Sequence, residues 1–233
     1  MQGDLRTVQG VLTNALNRIE GAEIVLYGSG RTDAGVHAEA QVANVVLQRE
    51  ISPEKLKAAV NGNVPNDVRV IDVKEVEDEF HARYSAKEKT YIYRIVNGRV
   101  ISPFWFRYAC HEARPLNLEL MKESAKLFIG SHDWTAFSSA QTDSESRVRN
   151  ITQLELSERC DRRVPGRMIE IKVSADGFLR YMVRSIAGTL MAVGRREIDG
   201  HVVQRAIDSG DRSLAATTAP ACGLSLVSVR YDQ

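Results

Sequence analysis

Gly28-Ser29-Gly30-Arg31-Thr32-Asp33-Ala34-Gly35-Val36-His37-Ala38 lies between two apolar runs, Glu23 to Tyr27 and the valine-rich Gln41 to Gln48. Both runs have the length and composition of strands, so the polar, glycine-bearing residues between them form a turn or loop. Its glycines let the backbone turn sharply and approach a ligand closely, and Arg31, Asp33 and His37 cluster there. On composition alone a polar hairpin loop and a ligand-bearing loop both fit. A phosphate-binding loop does not: its earlier glycine falls at position 25, which is valine, and its lysine is Arg31.

Outward from this loop, Val8, Leu12, Ala15, Leu16 and Ile19 recur at helical spacing, so the chain opens on an amphipathic helix. Pro53 to Val60 reads as a second helix, with Ser52 as N-cap and Asn61-Gly62 at its end. Val68, Val70, Val73 and Val76 mark a strand, and the run around Tyr91, Tyr93 and Ile95 marks a strand apolar on both faces. Pro103 to Tyr108 reads as aromatic and extended, and Asn117 leads into a helix carrying Leu118, Met121, Ala125 and Phe128. Strands follow at Arg147 to Leu156 and Met168 to Ser174. Helices come next at Phe178 to Val193 and Val202 to Ile207, with a last strand at Leu224 to Tyr231.

Strands and helices mix without regular β-α-β alternation, which predicts an α+β fold with largely antiparallel sheet. Each half has the make-up of a ferredoxin-like unit. A boundary near residues 105 to 115 predicts halves of 1–108 and 109–233.

With 233 residues the chain has enough length for a sizeable core. Its net charge of +1 announces no polyanionic partner. Locally the charge is uneven. His81 to Arg114 holds seven Lys or Arg against two Glu, and Asp72 to Glu79 holds five acids against one Lys. The basic tract suits an RNA backbone, although alternation along a strand puts its cations on both faces. No apolar run approaches a membrane span and Met1 to Val8 is too polar for a signal peptide, so no membrane partner and a cytoplasmic protein are expected. Cys110, Cys160 and Cys222 fit no disulfide framework or metal knuckle and read as reduced thiols. Asp143, Glu145, Glu158 and Asp161 show no metal-ligand spacing and read as surface.

Gly30 to Ala38 resembles the signature of the tRNA pseudouridine synthase A family, in which the aspartate is essential. Phe80-His81-Ala82-Arg83 with Lys89-Thr90-Tyr91-Ile92-Tyr93-Arg94, Asp133 to Phe137, Phe178 to Gly194 and Gly223-Leu224 resemble further blocks of the family, in order. The departure is at the start. Family members begin with a strand carrying Tyr-Asp-Gly and Gly-Trp-Gln before the first helix, whereas this chain starts at Met1-Gln2. The first half's sheet is therefore expected to lack about one strand, with unpaired backbone groups as the result.

The resemblance implies a pseudouridine synthase fold of two ferredoxin-like halves around a central cleft. It implies isomerisation of tRNA uridines at about positions 38 to 40 of the anticodon stem-loop, without a cofactor or metal, by a homodimer whose tRNA touches both subunits. Asp33 is the implied catalytic carboxylate, as nucleophile or general base. Arg184 is its implied ion-pair partner, and Tyr91 the active-site tyrosine whose ring stacks on the extruded uracil. Arg31 is the candidate to stabilise the helix vacated by the base. Arg180 and Arg184 lie four apart on the expected helix, so both project from one face. An unmatched pair of this kind is a solvated basic face, and only Arg184 falls on a family position. His37 reads as a hydrogen-bonding framework residue. The rival readings are a non-catalytic RNA-binding protein or chaperone of this fold and, disfavoured by its spacing, a nucleotide hydrolase using the Gly28 to Thr32 loop.

Overall fold

The computed structural model describes residues 6–141 and 144–232; residues 1–5, where the chain departs from the family pattern, and Asp143 lie outside them. The elements follow one another as α1 (Val8–Glu20), β1 (Tyr27–Gly28), β2 (His37–Ala38), β3 (Ala43–Asn44), α2 (Pro53–Asn63), β4 (Ala86–Asn97) and β5 (Cys110–Glu112). Then come α3 (Leu118–Ala125), β6 (Gly130–Asp133), β7 (Val148–Arg159), β8 (Arg167–Ala175), α4 (Met182–Gly194), α5 (Gly200–Ser209) and β9 (Leu224–Tyr231). Short 3-10 turns punctuate the second half. The fold is α+β, as expected.

The described residues form two compact units, one of those up to Gly30 with Val42–Ser85, the other of Arg31–Gln41 with those from Ala86 onward. This differs from a division at residue 108. β4, assigned by sequence to the first half, pairs with β8 on one side and β9 on the other, so its hydrogen bonds tie it to the second half.

In the first unit, Thr7 caps α1 through its side chain and Gly21, at φ +81°, ends it in the left-handed conformation that glycine tolerates. Ser52 caps α2, with Pro53 in its first turn. Leu16, Leu26, Leu56 and Val60 form a small core with Val64 and Val68. The expected strands are mostly absent here. The runs at 23–27 and 41–48 pair only where β1 meets β3. Val68 to Val76 forms no strand. Val70 exchanges hydrogen bonds of 2.8 Å in both directions with the Asn61 side chain, and Lys57 Nζ donates to the Ile71 carbonyl, so side chains of α2 take the place of a partner strand.

In the second unit one sheet runs in the order β2-β9-β4-β8-β7-β6, and β5 pairs with the far end of β4. It is antiparallel except for β2 with β9 and β4 with β5. Tyr93 and Ile95 of β4 enter the main core with Phe128, Trp134 and Ile171, while Val96 packs into a second cluster with Ala109 and Met168, so this strand is buried on both faces. Pro103 to Tyr108 is not extended. Trp105 and Phe106 both donate backbone hydrogen bonds to the Ser102 carbonyl, and Tyr108 donates to that of Trp105, which coils the segment into turns.

The expected helix over Phe178 to Val193 begins four residues late, at Met182. Tyr181 precedes it at φ +68°, which interrupts helical geometry. Every residue of α4 except Arg184 is buried. A helix apolar all round is a central one, and its single charged side chain must find a partner.

Candidate active site

Asp33, Tyr91 and Arg184 come from three distant stretches of chain, and β9 sets two of them in place. Leu226 is opposite Ala38 of β2 on one side and opposite Tyr91 of β4 on the other. The backbone N–H of Glu39 also donates to the Leu226 carbonyl at 2.8 Å, which pins the exit of the Asp33 loop to the strand beside Tyr91. The β4–β9 register shifts between Thr90 and Tyr91. Such a bulge turns the side chain beyond it away from the regular pleat.

The loop closes in a tight turn, with Val36 N–H donating to the Asp33 carbonyl at 3.0 Å and Gly35 at φ +81°. A turn of this shape needs positive φ at its third residue, which is glycine here. A Cβ on Gly35 would also stand 3.4 Å from that of Ala221. His37, just beyond, makes a 2.7 Å hydrogen bond through Nε2 with the Arg107 carbonyl and rests its ring 4.9 Å from Tyr108. It holds the loop against the 102–108 turns.

Arg184 meets Asp33 from the first turn of α4. Its Nη1 donates to Asp33 Oδ2 at 2.7 Å and its Nε donates to the Ala219 carbonyl at 2.8 Å. The Arg184 carbonyl in turn accepts from Ala219 N–H at 3.0 Å, so helix and segment grip each other at this residue. One turn later that grip depends on Gly188, where a Cβ would stand 2.1 Å from the Thr217 carbonyl oxygen. Both side chains of the pair are largely sheltered, which makes the charge-assisted hydrogen bond worth more than a solvated one.

Tyr91 packs edge-on against Phe178, with ring centroids 5.1 Å apart. Its phenol is pushed up to about 12, first by burial and then by the negative charge of Asp33. The two groups therefore share one electrostatic environment, and the phenol keeps its proton at neutral pH. Arg31 is exposed at the mouth of the same loop, two residues before Asp33. Tyr93 is fully buried, donates its hydroxyl to the Pro220 carbonyl at 2.9 Å and belongs to the core.

Three further residues join the site. Phe178 abuts Tyr91, the Ala219 carbonyl orients Arg184, and Arg180 brings Nε to 3.9 Å from Asp33 Oδ1. Arg180 does so from outside the helix, so the four-residue spacing that puts both arginines on one helical face is not what brings them together. The expected RNA track between His81 and Arg114 is not one free basic face. Lys87 pairs with Asp232, Arg94 with Glu39 and Glu170, and Arg114 with Glu112 and Glu197. Glu158 and Asp161 pair with Arg167 and Arg163. Among the described residues no three His, Cys, Asp or Glu side chains are grouped to hold a metal, and no helix is long and apolar enough to cross a membrane.

A carboxylate bonded to a guanidinium beside a protonated phenol is a set of groups suited to acid–base or nucleophilic chemistry. The family described as "tRNA pseudouridine synthase" matches residues 2–85 and 124–232, and the chain belongs to it. The chain is 40% identical over 225 residues to tRNA pseudouridine synthase A 2 of Bacillus cereus, covering 97% of this chain and 89% of that protein. It is 42% identical to tRNA pseudouridine synthase A of a Thermoanaerobacter species, with 97% and 90% covered. With the enzyme of that name from Thermodesulfovibrio yellowstonii the identity is 39% over 231 residues, with 97% and 91% covered.

Proposed function

We propose that this protein isomerises uridine to pseudouridine in tRNA, at positions 38, 39 and 40 of the anticodon stem-loop. The observation that carries the proposal is the 2.7 Å contact between Asp33, in its family-signature loop, and Arg184, the one charged residue of a buried helix. The reaction breaks the N1–C1′ bond, turns the uracil and forms a C5–C1′ bond. Every atom stays on the substrate, so the chemistry calls for a nucleophile or base and a proton relay but no co-substrate. Asp33 supplies the carboxylate, adding to the substrate or taking a proton from the ribose. Arg184 balances its charge when a flipped base shuts out water. Tyr91, protonated at neutral pH, stacks on the uracil and relays the proton lost from C5, its hydroxyl giving up its own proton as it takes that one, while N1 ends with a proton in place of its bond to C1′.

Extruding the base costs a few kcal/mol of stacking and pairing. Arg31, at the mouth of the loop, offsets that loss by stacking in the vacated space or binding its phosphates. The protein works as a homodimer in the cytoplasm, each tRNA touching both subunits. Incubation with unmodified tRNA transcript and mapping of pseudouridine tests the reading. Product at positions 38 to 40 from the wild type, and none from Asp33→Ala, is expected. A wild type that binds the transcript without forming product would make this a non-catalytic RNA-binding protein.

A further inference from the structure

Asp33 faces two guanidiniums, and they are not equivalent. The Arg184 side chain is 16% exposed and is committed to Asp33 and to the Ala219 carbonyl. The Arg180 side chain is 45% exposed, and its Nε, 3.9 Å from Asp33 Oδ1, is beyond hydrogen-bond reach. Its Nη2 donates instead to the Tyr181 hydroxyl at 3.1 Å. One carboxylate is thus matched by Arg184, and a second positive charge stays on the open side of the pair.

The backbone is shaped to hold that charge there. Tyr181 adopts φ +68°, a conformation uncommon for a bulky residue and concentrated at functional sites. Its ring has the Arg180 guanidinium 4.9 Å and that of Arg184 5.2 Å from its centroid. The Arg180 carbonyl accepts from Ser139 N–H at 2.9 Å, so the main chain is anchored while the side chain rests on an aromatic face.

We propose that Arg180 binds the phosphate attached to the target uridine, an inference that rests on the activity proposed above. A nucleotide whose ribose meets Asp33 brings its own phosphodiester within the same few bonds. Without a cation between them, the carboxylate and the phosphate repel each other in a sheltered site. Arg180 stands on the exposed side of Asp33, and its planar fork fits phosphate oxygens in pairs. Arg184 stays on Asp33, Arg180 turns to the substrate, and the Tyr181 ring supports both.

Kinetics on unmodified tRNA transcript with R180Q and R180K, together with binding measured over a range of salt, test the proposal. R180Q is expected to raise KM about tenfold, with a smaller change in kcat. Its plot of log affinity against log salt should lose roughly 0.7 to 0.9 in slope, the share of one phosphate contact. R180K should restore the slope with an intermediate KM, since lysine keeps the charge without the fork. Unchanged KM and slope in R180Q would overturn the proposal, and so would a loss confined to kcat, which would tie Arg180 to Asp33 alone. If the wild type forms no pseudouridine the activity reading fails, and the salt slopes of wild type and R180Q still decide whether Arg180 meets a phosphate.

Discussion

The two units of this protein are built to different standards. In the first, pairing stops after two residues in each strand, and Val25, Val46, Ile71 and Val76 are more than half exposed. In the second, β4 is hydrogen-bonded along its length between β8 and β9, and Trp134, Phe128, Phe137 and Ile151 are fully buried. Asp33, Tyr91 and Arg184 all belong to the second. A site that must hold a carboxylate and a guanidinium at hydrogen-bond distance needs walls that do not move, and continuous ladders with a dense core supply them.

The largest expected effect tests where function resides. Asp33→Asn should lower pseudouridine formation by about 10^3-fold or more, read on tRNA transcript, while chemical denaturation shows a folded protein. A variant with wild-type turnover would separate the chemistry from the better-built unit.

The same substitution in each unit should have opposite signs. Gly188→Ala forces a methyl onto the Thr217 carbonyl and should destabilise by about 2 to 3 kcal/mol in urea unfolding. Activity should fall too, because the 217–219 segment orients Arg184. Gly62→Ala comes last and smallest. It lies within α2 with nothing inside 4 Å of the added Cβ, and should stabilise by about 0.5 to 1 kcal/mol. Equal effects at the two sites would erase the contrast.

Between these in size is an alkaline effect specific to the second unit. The folded protein holds the Tyr91 proton up to about 12, whereas an unfolded chain releases it near 10. In that window the folded state binds more protons than the unfolded one, so stability falls as pH rises through it, by about 2 kcal/mol from this residue. Tyr91→Phe should flatten that part of the profile in unfolding measured at pH 9 to 12. An unaltered profile would show that the phenol is not sequestered.

Much of the second unit was legible in the chain. Alternation marked β8, the terminal apolar run gave Leu224–Tyr231 as β9, and Asn117 announced α3. The first unit was less so. Valine spacing at 68–76 has the period of a strand, but a strand also needs a neighbour, and here Asn61 and Lys57 of α2 meet that backbone instead. At the site, Asp33 and Arg184 were legible through resemblance to family blocks. Arg180 was not, because its position was read as the third residue of a helix that starts only after it.

What the sequence determined by itself was the kind of chemistry: a carboxylate in a glycine-bearing loop, an arginine on an apolar helix and a tyrosine in a buried strand, arranged in the order of one enzyme family. Only the tertiary structure decided that these three meet. Leu226 sets Ala38 beside one edge of β9 and Tyr91 beside the other, and Gly188 lets α4 approach the segment that aims Arg184. The positive φ of Tyr181 then brings a second cation to the open side of Asp33. Residue types follow from local pattern, but hydrogen-bond register, close backbone approach and a left-handed residue are settled by contacts between stretches far apart in the chain.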